Sequence, residues 1–181
     1  IAYAKANPGK LNYASTGTGG ITHLATELFD LMAGTKMTHI PYKGTGPALS
    51  DIIGGQVQVL FGSFPATVPH VKSGKLRAVG VTTAKRAPVL PEVPAISETV
   101  KDYEAVLWYG LWAPKGLPKN IITRWNSEVA RILQTPEMQK RLAGDGVEPA
   151  GGPPEQFLKA IARDVEKWKK VVKAANIKVS S

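Results

Sequence analysis

One pattern constrains this chain more than any other. A short apolar run, a loop of small residues and a helix follow one another three times in succession. The first unit has a β-like run over 11–14, the loop Ser15-Thr16-Gly17-Thr18-Gly19-Gly20, and a helix from about Thr22. Ile21, Leu24, Ala25, Leu28, Leu31 and Met32 recur there at helical spacing until Ala33-Gly34 ends it. The second unit has a strand over 37–42, the loop Lys43-Gly44-Thr45-Gly46, and a helix that stops at Gly54-Gly55. Pro47 suits the first helical position of that helix, with Gly46 or Thr45 as the cap before it. The third has a strand over 56–61, a loop over 62–70 that includes Ser63 and Phe64, and a short helix ended near Ser73-Gly74. A fourth strand is expected over 76–82. Crossovers of this length allow parallel pairing, so the expected class is α/β. In a parallel sheet every strand delivers its following loop to one edge, and ligands bind at that edge. The three loops are therefore expected to converge.

The remainder of the chain has a different texture. Pro88, Pro91 and Pro94 punctuate 83–103, read as a connecting excursion in which 95–100 is at most a short helix. Residues 105–113 read as a long aromatic strand carrying Trp108, Tyr109 and Trp112, side chains suited to core and hinge packing. Ile121, Ile122, Trp125, Val129, Ile132 and Leu133 make one apolar stripe, and Thr135-Pro136-Glu137 opens the next helix. Phe157, Leu158, Ile161, Val165, Trp168 and Val172 mark a long amphipathic helix. A helix-rich end without a further strong strand reads as part of a layer whose sheet lies elsewhere. The opening residues read as the last turns of a helix ended by Asn7-Pro8-Gly9, without an initiator Met. That suggests a piece of a longer chain, with any targeting signal upstream.

The loops set the chemistry. Ser, Thr and Gly offer backbone N–H groups and hydroxyls without bulk, and the helix behind them presents its positive dipole end, which together make a small-anion site. The same composition also serves a tight strand-to-helix connection. The dinucleotide fingerprint fails, because Thr22 stands where the third glycine belongs, and the Gly-Lys-Ser/Thr of a Walker A loop is missing. His39 and His70 lie far apart in the pattern, and the three lone histidines, His23, His39 and His70, come without an HExxH motif or a carboxylate cluster, which argues against a metal site. No nucleophile elbow or Ser–His–Asp set can be assembled, and Glu27 and Asp51 read as exposed helix positions. Cysteine is absent, which excludes disulfides and thiolate metal sites. Much of the net charge of +9 comes from the last helix, where Lys167, Lys169, Lys170, Lys173 and Lys178 crowd together, and from scattered pairs such as Lys85-Arg86. No aromatic-basic interleaving or recognition helix accompanies it, so it reads as a solvated face that attracts anions, not as a nucleic-acid surface. No apolar run approaches the ~20 residues that span a bilayer.

The ordered stretches PGKLNYASTGTGGITHLATELF, HIPYKGTGPALSDIIGGQVQVLF, PHVKSGKLRAVGVTTAKRAPVLPEVPAISE and WYGLWAPKG resemble the C-terminal portion of the Bug family. These are the extracytoplasmic solute receptors of tripartite tricarboxylate transporters. The resemblance implies a type II periplasmic binding protein fold, in which two α/β lobes close on a small carboxylate. On that template residues 1–7 end a helix, 8–104 form the second ligand-binding lobe, and 105–181 are the crossover strand and helices that return to the first lobe. The early strands of the first lobe, with its proline-glycine ligand loop, are not in this sequence. The implied function is periplasmic capture of a carboxylate and its delivery to membrane components of the transporter, without a cofactor, a metal or catalysis. Ser15, Thr16, Gly17, Thr18, Gly19, Thr22 and His23 are then expected to hold the carboxylate. Lys43, Gly44, Thr45 and Gly46 add a second set of donors with one possible charge, and Ser63 and Phe64 lie on a third loop. Lys43 is also readable as a solvated loop lysine, and His23 as a capping or packing residue. Two other classes are the effector-sensing lobe of a transcription regulator, which shares the two-lobed architecture, and an enzyme acting on a small anionic substrate, which would need turnover at the Gly-rich loop.

Overall fold

Strand β1 (Asn12–Ser15) is the centre of a three-stranded parallel sheet, with β2 (Thr38–Pro41) on one side and β3 (Val59–Leu60) on the other. The structure is a computed structural model and describes residues 1–178. Helix α1 (Ala2–Ala6) precedes the sheet. The strands alternate with α2 (Ile21–Ala33), α3 (Thr45–Ile53) and α4 (Phe64–Lys72), the order inferred from the three repeated units. The two-residue period of a strand explains how both faces are covered. Ala14 points to one face, where it packs with Ala48 of α3 and with Val57. Tyr13 and Ser15 point to the other, where the Tyr13 hydroxyl reaches Glu27 of α2 and Ser15 Oγ reaches His39 of β2. Tyr13 is paired in register with His39 and Ala14 with Ile40, so β2 presents the same alternation.

Helix α2 stops where the sequence indicates. Gly34 takes a left-handed conformation (φ 63°) and donates its N–H to the Asp30 carbonyl, while the buried Asp30 carboxylate accepts from Thr35 Oγ1 and Met37 N–H. That clamp aims the chain into β2. The second helix begins earlier than expected, at Thr45 with Gly44 as its N-cap, so Pro47 is its third residue. The first turn tolerates this because its N–H groups have no intrahelical partner to lose. Most of the third expected loop is helical, with Ser63 as the N-cap of α4 and Phe64 its first residue.

Two expected strands do not form among the described residues. In 76–82 only Val81 pairs, through an isolated parallel bridge to Ala95. Its N–H donates to the Pro94 carbonyl, and its own carbonyl accepts from Ile96. Residues 105–113 have no strand beside them and run as irregular chain. β-Propensity reports how a side chain fits a paired, half-buried surface, and these residues lack the pairing. The 83–103 excursion is better packed than its proline content suggests. Val68, Val81, Ala87, Leu90, Val93 and Ala95 form one buried cluster. The short helix expected in 95–100 is a single 3-10 turn, Ile96–Glu98.

Three helices follow: α5 (Lys119–Leu133), α6 (Pro136–Gly144) and α7 (Pro154–Ala174). Thr135 caps α6 as its sequence signature indicates, accepting from Met138 N–H. Helix α7 lies against α2. Trp168 packs on a cluster of Ala25, Ala33, Val100, Tyr103 and Ala105, and the buried Tyr103 hydroxyl donates to the Ala25 carbonyl. Much of the apolar surface of α5 and α7 stays uncovered. Trp125 and Leu158 are exposed, as are Tyr109, Leu111 and Trp112 in the irregular segment.

Candidate functional site

The parallel order β2-β1-β3 brings the 15–20, 42–44 and 61–63 connections to one edge of the sheet. The first two are tied directly, because Tyr42 N–H donates to the Ser15 carbonyl. Gly17 has φ 144° and Gly44 φ 101°, conformations that a β-carbon strongly disfavours. A methyl built on Gly44 or on Gly46 would meet no atom within 4 Å, so the backbone of the second loop is open to approach from outside. Lys43 is exposed at its tip.

Most polar groups of the first loop are engaged internally. The Thr16 N–H donates to Thr22 Oγ1 (2.9 Å), and the two threonine hydroxyls lie 3.1 Å apart. The Gly17 N–H donates to Ser15 Oγ (3.3 Å), and the Gly20 N–H to the Gly17 carbonyl. The Gly19 N–H donates to His23 Nδ1 (3.0 Å). What remains is informative. The N–H groups of Thr18, Ile21, Thr22 and His23 have no acceptor among the described residues, and Thr18 is exposed. The last three are the orphan donors of the first turn of α2, at its positive end. Of the third loop, Ser63 is half-buried at the N-cap of α4. Phe64 turns into the Val68–Leu90 cluster, with Gly146 against its ring.

Beneath the loop lies a polar network absent from the sequence reading. His23 and His39 stack with ring centroids 3.8 Å apart and 11° between planes, and His39 also stacks on Tyr13 at 4.9 Å. The Tyr13 hydroxyl donates to Glu27 Oε1 at 2.5 Å, and His23 Nε2 lies 3.7 Å from the same oxygen. His39 Nε2 lies 2.6 Å from Ser15 Oγ. Register and helix phase bring His23 and His39 together. Two expectations change here. Glu27 is not an exposed helix position: it closes the network at i+4 from His23. Asp51 is half-buried, accepting from the Tyr42 hydroxyl at 2.7 Å. The spacing His23-x-x-x-Glu27, together with the Tyr13–His39 register, is the signal that carries this network.

Charge in the network is set by burial and by neighbours. Burial holds the His39 imidazole down to about 4, with His23 adding to the effect and Glu27 opposing it, so the ring is neutral at pH 7. The Glu27 carboxyl is held below its ordinary range, chiefly by the His23 ring and also by the Tyr13 hydroxyl, against the cost of burial. Burial raises the Tyr13 phenol, and the Glu27 hydrogen bond adds to it. Ser15 beside a histidine looks like half of a nucleophilic pair. Its hydroxyl is fully buried, however, and is shared among the Gly17 N–H, the Gly17 carbonyl and His39, so no substrate carbon can reach it. No group of three His, Asp or Glu side chains among the described residues is placed to hold a metal ion.

Next to the loop edge, a groove of about 620 Å3 opens between the start of α2 (Ile21, Leu24), the irregular segment (Val106, Leu107, Trp108, Trp112) and α7. Trp108 and Trp112 both pack on Phe157, Trp108 donates to Asp164 Oδ2 at 2.7 Å, and Lys169 and Lys173 also line the groove.

Comparison with known proteins supplies what geometry alone does not. Protein BugT of Bordetella pertussis is 35% identical over 180 residues, covering 99% of this chain and 55% of BugT. The structure described as "R. palustris Rpa4515 with adipate" superposes with a TM-score of 0.90 at 38% identity, over 97% of this chain and 59% of that one. "MatC (Rpa3494) from Rhodopseudomonas palustris with bound malate" gives 0.83 at 28% identity, over 94% and 60%. The chain thus spans about half the length of the curated relatives it matches, and its α/β architecture is that of the periplasmic binding proteins it superposes on. The profile described as "Tripartite tricarboxylate transporter family receptor" matches residues 1–177, and the chain belongs to this family, TctC, which is one of solute-binding receptors and not of enzymes.

Proposed function

We propose that this chain supplies one jaw of a periplasmic receptor that captures a small carboxylate and hands it to the membrane components of a tripartite transporter. The observation that carries the reading is the set of open donors at one sheet edge: the N–H groups of Thr18, Ile21, Thr22 and His23, faced by the open 43–46 backbone. An anion there gains charge-assisted hydrogen bonds at a helix N-terminus without needing a buried cation. The adipate and malate named for two structural relatives have the matching chemistry. Within the loop, Thr18 and the first turn of α2 touch the carboxylate, while Ser15, Thr16, Gly17 and Gly19 hold the shape. Lys43, Thr45 and Gly46 flank the entrance, and Ser63 approaches from the third loop. Residues 8–104 form the second lobe. Residues 105–181, of which the last three lie outside the described residues, belong with the first lobe. The exposed apolar faces of α5, α7 and 105–113 support that division.

The test is a thermal-shift panel of mono-, di- and tricarboxylates on the receptor at the full length of its relatives. A carboxylate should raise the melting temperature. Thr16→Ala should weaken binding about fivefold through the lost hydroxyl contact to Thr22, roughly 1 kcal/mol, and Ser63→Asp should weaken it further by like-charge repulsion. A panel in which no carboxylate shifts the melting temperature removes the reading.

A further inference from the structure

We propose that His23 is a positioning residue, whose Nδ1 atom sets the shape of the 16–20 loop by holding the Gly19 N–H, and whose protonation releases it. The inference rests on the carboxylate reading only for its consequence, that ligand affinity follows the same proton.

The geometry fixes the tautomer. A backbone N–H can donate only to an unprotonated ring nitrogen, so the 3.0 Å contact from Gly19 places the hydrogen of the neutral His23 ring on Nε2. That nitrogen faces the Glu27 carboxylate at 3.7 Å, the arrangement that favours a hydrogen there. The ring has no freedom to turn away, because it is buried and stacked flat on His39. Adding a proton at Nδ1 converts the acceptor into a donor that points at another donor. The Gly19 N–H must then leave, and the loop must adjust between Gly17 and the first turn of α2.

The groups that face His23 come from each element packed around it. Tyr13 and Ser15 come from β1, His39 from β2, and Glu27 from its own helix, with Asp30 one turn further on. Helix α7, the other element against α2, brings Lys169 and Lys173 to the groove beside Ile21 and Leu24. Of these groups Glu27 and Asp30 are acidic, and Lys169 and Lys173 are basic.

The consequence for recognition is specific. The His23 backbone N–H is one of the open donors, while its side chain lies behind the loop and fixes where Thr18 N–H points. His23 therefore controls the site without its ring touching the ligand, and a carboxylate that needs the formed loop binds less well as the ring becomes protonated.

The experiment uses the 181-residue chain with 15N-labelled histidine and backbone, followed from pH 8 to pH 5. At pH 8, His23 Nδ1 should show the shift of an unprotonated acceptor and Nε2 that of a protonated nitrogen. The Gly19 and Thr18 amide signals should move with the same midpoint as the His23 ring. In His23→Asn an amide oxygen stands near the place of Nδ1 and cannot be protonated, so the Gly19 signal should hold still over the same range. A protonated Nδ1 at pH 8, or Gly19 and Thr18 amides that ignore the titration of the ring, overturns the inference even if the variant fails to fold. A second arm titrates adipate into the receptor at the full length of its relatives, with and without the same substitution. The wild-type affinity should fall about tenfold more than that of His23→Asn between pH 8 and pH 5, a comparison that cancels the ionisation of adipate itself. If the amides follow His23 but no carboxylate binds, the positioning role stands and the carboxylate reading falls. If adipate binds with the same pH dependence in both proteins, the carboxylate reading stands and the link to His23 falls.

Discussion

Ser15, His23 and Gly44 show how differently residues of one sheet edge contribute. Ser15 looks chemically available and is not, since its buried hydroxyl is divided among three partners. His23 holds the loop through its ring, which accepts from the Gly19 N–H, and leaves its own backbone N–H without an acceptor among the described residues. Gly44 contributes a conformation: φ 101° and ψ −177° form a backbone state open almost only to glycine, at the N-cap of α3. Open space surrounds it, so Gly44→Ala meets no clash, and its cost is backbone strain alone. That substitution should destabilise the chain by about 1–3 kcal/mol in urea unfolding. Gly46→Ala, in equally open space but inside α3, should stabilise it slightly, because alanine is the better helix former. Equal effects at the two positions would contradict the assignment of strain to Gly44.

At the scale of elements, β1, β2 and α2 form a unit joined by a polar stack rather than by apolar packing alone. Its pH dependence follows from His39. The folded state holds this ring to about 4, against 6.5 unperturbed, so between those values the unfolded chain binds the extra proton. The contribution to stability is complete above pH 6.5 and is lost as the pH falls towards 4. Glu27, held low, adds a loss of the same sign below the ordinary carboxylate range, while Asp30, raised by burial, opposes it. The melting temperature should therefore fall by about 3–6 °C between pH 7 and pH 5, and by clearly less in His39→Asn. An unchanged slope in the variant would show that the stack does not carry the pH dependence. The three strand–loop–helix units were legible because hydrophobic period and glycine placement are local signals. Met37 to Tyr42 and the Ser15–Gly20 loop fall where those signals put them. The His23–His39–Tyr13 stack was not legible, since it needs the phase of α2 and the register of β2 at once. The 105–113 strand was misjudged for the converse reason: Trp108, Tyr109 and Trp112 have strand-forming side chains, but a strand exists only beside a partner.

At the scale of the molecule, one half is a closed α/β unit and the other carries apolar surface that nothing among the described residues covers. Tyr109 is 79% exposed and Trp112 68%. Uncovered patches of this kind drive association. The isolated 181-residue chain should therefore sediment as dimers or larger species at micromolar concentration, and Trp112→Asp should shift it towards monomer. A wild-type chain that stays monomeric would count against a missing covering lobe. The account as a whole rests on the Thr18–His23 edge being half of a carboxylate clamp. Amide chemical-shift mapping of this chain during an adipate titration tests that most directly. The account predicts weak binding, about millimolar or weaker, with shifts confined to Thr18, Ile21, Thr22, His23 and the 43–46 loop. A tight complex, or shifts centred on the Trp108 groove with the loop unmoved, would contradict it.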